Sequence, residues 1–189
     1  MPFQFFNGKI CASDPLIEAT KKIDAPDINE LVATTIEPRT ISRNAFSLEP
    51  HQILWDYWQR LRGDRDVARY DFIDPMHFNK AMGYVLLLEP NSDCTDFRYR
   101  VYGSVVAQRY GREMTGKWLS EFVSGTKDLS MLQYPALVQT KTPFYSEHST
   151  ITSNYNKTIW CRLAFPLENQ KGKIDRILIG CVPVDKAIS

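Results

Sequence analysis

Three histidines and four cysteines are the side chains best suited to ligate, accept protons or attack, and their spacing limits what they could do. His51, His77 and His148 are scattered and stand among no clustered carboxylates, so no metal centre is expected. Cys11, Cys94, Cys161 and Cys181 contain no Cys-x-x-Cys pair; Cys161 and Cys181 sit in apolar stretches and read as small core residues. His148 beside Glu147 is the only adjacent acid–base pair inside a strand-like segment. Neighbours on a strand point to opposite faces, so the two could not serve one substrate. No complete Gly-x-x-x-x-Gly-Lys-Ser/Thr run is present to cradle phosphates: Gly111 to Lys117 has the glycine and lysine spacing, but Trp118 follows where the hydroxyl is needed. The chain therefore does not read as an enzyme, and a small cone-shaped α+β enzyme is kept as the weaker alternative.

The elements that must position such side chains are legible from residue 50 onward. Ile53, Leu54, Tyr57, Trp58 and Leu61 recur at three- and four-residue steps, which predicts a helix over 50–62 ending at Gly63, its apolar face widened by Trp55. Such a stripe packs on the chain's own sheet or on a second subunit, which makes Leu54, Trp55, Trp58 and Leu61 candidate interface residues. Gly83–Glu89 and Asp96–Gly103 read as strands joined by a polar turn. Ser104 can cap a short helix through Tyr110, and Thr126 a longer one carrying Leu129, Leu132, Tyr134 and Leu137, bent or split at Pro135. Phe144–Ile151, Thr158–Leu167 and Ile174–Val182 are strand-like. Two strands, short helices and three strands together predict an α+β fold with an antiparallel sheet. Residues 1–48 differ: scattered prolines and a short helix begun by Asp14-Pro15 read as a partly helical, linker-like extension ahead of a domain over 49–189.

Charge and hydropathy narrow the partners. Twenty-three Lys plus Arg against twenty-two Asp plus Glu leave a formal charge of +1, without the basic excess that phosphate binding favours. Arg98, Arg100 and Arg109 lie near Tyr99, Tyr102 and Tyr110, a pattern seen on sheets that stack bases. Strand alternation, however, sets the two strand arginines and Tyr99 on opposite faces, and no nucleic-acid partner is expected. The longest apolar run, Tyr84–Leu88, falls far short of the roughly 18–20 residues of a spanning helix. The start Met1-Pro2-Phe3-Gln4-Phe5-Phe6 lacks the marks of a signal peptide, so the expected setting is cytoplasmic, away from membranes, with reduced cysteines.

Three blocks carry a resemblance to a known family. The first is Leu54-Trp55-x-x-Trp58-x-x-Leu61-Arg62, followed by Arg69-Tyr70-Asp71-Phe72-Ile73-Asp74-Pro75. The second is Asp96-Phe97-Arg98-Tyr99-Arg100-Val101-Tyr102-Gly103-Ser104 through Tyr110-Gly111-Arg112-Glu113-Met114-Thr115-Gly116. The third is Trp160-x-Arg162-Leu163-x-Phe165-Pro166-Leu167 with Gly172-x-Ile174-Asp175-x-Ile177-Leu178-x-Gly180. In order and spacing these resemble the PAS sensor domains, in particular a subfamily found largely as small stand-alone proteins in alphaproteobacteria.

The resemblance implies a five-stranded antiparallel sheet, a helical insert after the second strand lying across one face, and a cavity between them. It also implies sensing of a small molecule or of a protein surface, with output through association, as a homodimer or with a signalling partner. Candidate cavity residues are then Tyr99, Tyr110, Trp118, Tyr134, His148, Cys161 and Arg162, while Phe97, Val101, Leu163 and Phe165 are expected to fill core. Flavin-binding relatives need an Asn-Cys-Arg-like motif and haem-binding ones an axial His on the long helix. Neither is present, so no cofactor is expected and an unidentified small molecule stays possible. A ligand-free adaptor with a filled core is the main alternative.

Overall fold

The computed structural model describes residues 3–9, 27–122, 124–151 and 157–186. The helix expected from Asp14 to Ile23 lies outside the described residues, as does Cys11. In chain order the elements are β1 (Asn29–Thr35), a 3-10 turn at Arg43–Ala45, α1 (Glu49–Arg62), β2 (Ala68–Arg69) and a 3-10 stretch at Pro75–Tyr84. Then come β3 (Val85–Pro90), β4 (Phe97–Tyr102), α2 (Ser104–Tyr110), a 3-10 turn at Leu119–Glu121, α3 (Gly125–Thr140), β5 (Phe144–Ile151), β6 (Lys157–Glu168) and β7 (Ile174–Lys186).

The strands form one sheet in the order β1-β5-β6-β7-β3-β4, every neighbouring pair antiparallel. The two-residue β2 runs parallel to the end of β6. All five expected strands are present, with the helical insert after the second of them. The sheet is wider than expected, because β1 comes from the segment read as a linker and pairs along β5 from Asn29↔Ser149 to Thr35↔Phe144. Only Ala33 and Thr34 of that strand are fully buried, so its sequence carries little of the alternation that betrays a strand.

The sheet buries both faces. Against the outer face lies α1, whose Leu54, Trp55 and Trp58 are 0%, 2% and 0% exposed, joined by Phe46, Tyr145, Cys161, Leu163 and Phe165. Trp58 stacks on Phe165 with centroids 5.5 Å apart and donates its indole N–H to the Pro166 carbonyl at 2.9 Å. Full burial of such side chains contributes about 1.5–3 kcal/mol each. The candidate interface residues Leu54, Trp55 and Trp58 are thus core residues of their own chain, and Leu61 packs half-buried against the same cluster. The stripe is spent on the sheet.

Gly180 allows that close approach. A Cβ there would stand 2.8 Å from Leu54 Cδ1 and 2.9 Å from His51 Cδ2. His51 Nε2 donates to the Gly180 carbonyl at 3.1 Å. The N-terminal strap seals the same face: Gln4 and Phe5 backbone N–H groups each donate to Glu147 at 2.8 Å, and Phe6 stacks on Tyr145.

Against the inner face lie α2, the Leu119–Glu121 turn and α3, packed on Leu86, Leu88, Phe97, Tyr99, Ile177 and Ile179. α3 runs through Pro135 as one helix. Tyr134 and Leu137, on either side of the proline, are both buried on the sheet, and that packing holds the two halves on one axis.

A candidate ligand cavity

Between the inner face and α2–α3 is a cavity of about 20 Å³, room for about one water. The sheet contributes Leu86, Tyr99, Tyr102, Arg162 and Cys181, and the helical layer Tyr110, Leu119, Phe122, Thr126, Lys127, Ser130 and Tyr134. Tyr102 reaches it through a bulge. Leu87 pairs with Val101 but Leu88 pairs with Tyr99, so Arg100 is an extra residue on β4. The alternation therefore breaks after Tyr99: Val101, two residues on and expected to fill core, packs on the outer side, and Tyr102 takes the inner position. Tyr99 and Tyr102 meet edge to face at 5.0 Å.

The helical layer is set by its caps and its anchors. α2 ends at Gly111, whose backbone takes the left-handed conformation a glycine adopts freely. That termination points Tyr110 into the layer, where it stacks on Trp160 at 4.2 Å and 13°. The Tyr110 hydroxyl reaches Thr126 Oγ1 at 3.5 Å.

Arg162 is the chemical centre. It is 2% exposed, yet among the described residues no carboxylate lies within ion-pair distance of its guanidinium. Its Nη1 donates to Ser130 Oγ at 2.9 Å and its Nη2 to Gln133 Oε1, both on α3. Its Nε is buried without an acceptor, as is Gln133 Nε2. Alongside, Ser146 pairs across the strands with Arg162, and His148 with Trp160. Ser146 Oγ and both ring nitrogens of His148 are also buried without partners. Buried polar atoms are nearly always partnered, so this concentration is an anomaly that wants an explanation.

The electrostatics around Arg162 are uniform. Burial pushes the Tyr99, Tyr102, Tyr110 and Tyr134 phenols up, so they stay neutral donors. Burial also raises the Cys181 thiol to about 12, against the pull of Arg162, so it stays a thiol. Burial first, and the Arg162 charge second, hold His148 well below the usual histidine range and therefore neutral. Arginine keeps its charge throughout. The site offers one buried, fixed positive charge among neutral hydroxyls, with Lys127 as a second cation in the lining.

Of the expected cavity residues, the structure brings together Tyr99, Tyr110, Tyr134 and Arg162. His148 is buried on the same face beside Arg162 but does not line this cavity; it lines a separate hollow with Gln4, Glu30 and Val32. Cys161 is corrected: strand alternation turns it to the outer face, against Tyr145, and Cys181 from β7 fills the inner position. Trp118 is corrected too. It is partly exposed and bridges to Arg98 at the edge of β4, outside the cavity. Leu132, one of the apolar residues of the predicted helix, is 43% exposed and does not line the cavity.

Tyr102, Ser130 and Gln133 were not foreseen. The first needed the bulge, and the others are polar residues at helical spacing that sequence alone reads as solvated. Glu147 and His148 do fall on opposite faces, Glu147 accepting from Tyr145 Oη at 3.1 Å on the outer side. Arg98, Arg100 and Arg109 bond to the Gly116 carbonyl, Glu89 and Asp185. Among the described residues no cluster of His, Cys, Asp and Glu could hold a metal, and no helix is long and apolar enough to cross a membrane.

Comparison with known proteins adds the following. No curated protein matches the chain. Among solved structures, it is similar to an RNA-binding light-oxygen-voltage receptor, at 9% identity and a TM-score of 0.38 over 59% of this chain and 34% of that one. It is also similar to a sensory box histidine kinase/response regulator from Burkholderia thailandensis E264, at 12% identity and a TM-score of 0.37 over 59% of this chain and 85% of that one. The matched part thus spans about a third of the receptor's length. The PAS domain family pattern matches residues 47–182, from the start of α1 into β7, so this chain belongs to the PAS domain family.

Proposed function

We infer that the chain is a sensory or regulatory module that takes a small molecule between the inner sheet face and α2–α3. Occupancy is relayed by changed association with a partner or a second copy. A cytoplasmic setting, where its cysteines stay reduced, belongs to this reading. The observation that carries it is Arg162: a buried side chain lining a cavity, bonded among the described residues to neutral acceptors of α3, with its Nε unmet. A group entering there trades contacts with α3, the element whose movement a surface partner can read. The association surface is not the apolar stripe of α1, which is buried in its own chain.

The test is native mass spectrometry of the full chain straight from purification, followed by a small-molecule stability screen. Retained mass, or a compound that raises Tm and shifts the monomer–oligomer balance, supports the reading. A second reading, a ligand-free adaptor, is favoured by the cavity's small size, about 20 Å³. No retained mass and no responsive compound would establish the adaptor in its place.

A further inference from the structure

The unmet groups around Arg162 are unequal in kind. Arg162 Nε and Gln133 Nε2 are donors only, and both are buried with no acceptor. Tyr99 and Tyr102 bring further hydroxyls to the same space, and Lys127 stands at its mouth, ion-paired to the exposed carboxylate of Asp128. Among the described residues no carboxylate lines the cavity. Unmet acceptors stand nearby too, at Ser146 Oγ and one nitrogen of neutral His148, but all are neutral, so what the site lacks is negative charge to offset Arg162. A water supplies acceptor lone pairs but leaves the charge uncompensated, and a buried charge without an opposite partner is costly.

We propose that the ligand is a small monocarboxylate, its carboxylate received by Arg162 between β6 and α3. This rests on the sensory reading above and names the class of its ligand. One guanidinium calls for one negative charge. Its planar fork matches a carboxylate, whose two oxygens can accept from Nε and a neighbouring Nη together. As it stands the cavity holds about one water, so the ligand is limited to a few non-hydrogen atoms and enters only as α3 yields, with Leu86 and Phe122 of the lining beside its short tail. Entry draws on the same Nη groups that Ser130 and Gln133 now hold, so the carboxylate competes with α3 for Arg162. That competition is the step that turns occupancy into motion of α3.

The full chain, dialysed free of small anions, is titrated with formate, acetate, propionate and butyrate. The matching amides and chloride at equal ionic strength are run beside them, read by calorimetric binding and Tm. Saturating carboxylate is expected to raise Tm by about 5–10 °C at a hundredfold excess over Kd. The amides and chloride are expected to do nothing. Arg162→Gln is expected to weaken carboxylate binding about 10- to 100-fold. Should that variant not fold, the Arg162 Nε–H signal in ¹⁵N NMR of the unaltered chain serves instead, moving on addition of carboxylate and not of amide. Amides binding as well as carboxylates, unchanged affinity in Arg162→Gln, or an Nε signal indifferent to carboxylate overturns the proposal while leaving the sensory reading intact. Failure of every small molecule, with no retained mass in native spectra, removes both.

Discussion

At the scale of single residues, a buried charge held only by neutral groups has a testable energetic signature. Replacing such a charge by an apolar residue of similar length removes its desolvation cost, so Arg162→Met is expected to leave stability unchanged or higher by up to about 2 kcal/mol in urea unfolding. Removing its acceptors instead, as Ser130→Ala with Gln133→Leu, is expected to cost about 2–4 kcal/mol, because the guanidinium stays buried without the two acceptors that hold its Nη groups. A clear loss in Arg162→Met would show that packing of its stem outweighs the charge. His51 gives a second signature. Burial lowers its pKa from the ordinary 6.5 to about 4, against the opposing hydrogen bond to Gly180. Between those values the unfolded chain binds the proton and the folded chain does not, so stability is full above pH 6.5 and falls as pH drops toward 4. From pH 7 to 5 the loss from His51 alone is about 2 kcal/mol, and His51→Gln is expected to remove that share of the difference. An identical pH slope in wild type and variant would assign the loss elsewhere.

At the scale of elements, periodic segments were readable and exceptions to periodicity were not. The α1 stripe, the alternation of β6 and the apolar run of β7 each repeat a pattern long enough to stand out, and their spans match the structure closely. The sheet-facing side of β6 also told that Arg162 and Trp160 share a face opposite Cys161; what it could not tell was which face the cavity occupies. The extra residue Arg100 in β4 leaves no mark in composition, so nothing in the sequence moves Tyr102 to the inner face or turns Val101 away from Tyr99. Nor can amphipathicity alone say what covers an apolar helix face. The same Leu54, Trp55 and Trp58 suit a dimer seam or a sheet, and only the geometry shows the sheet. Trp58→Ala is therefore expected to cost about 3–5 kcal/mol, the range for a large core truncation, with sedimentation showing no change in oligomeric state at folded conditions. Dissociation of an oligomer without loss of monomer stability would restore the seam.

At the scale of the whole molecule, the family pattern begins at residue 47, but the physical domain begins earlier. Phe6, Ile36 and Phe46 are 3%, 1% and 0% exposed within the outer-face core, and β1 covers the edge of β5. Burial of those three side chains contributes on the order of 5–9 kcal/mol as an upper bound, comparable with the 5–15 kcal/mol that holds a typical domain folded. The strap also supplies two of the three hydrogen bonds described at Glu147, a carboxylate only 3% exposed, which would otherwise keep just the Tyr145 hydroxyl. A chain cut to residues 47–189 therefore loses core and uncovers a long strand edge at once. Open edges pair with other edges, so the shortened chain is expected to lose its cooperative melt or to self-associate through β5, as read by circular dichroism and light scattering beside the full chain. A monomer melting within a few degrees of the full chain would make the first forty-six residues an accessory. The expected collapse instead makes them the wall against which the sheet is built, and places any ligand-driven movement on the opposite, α3 side.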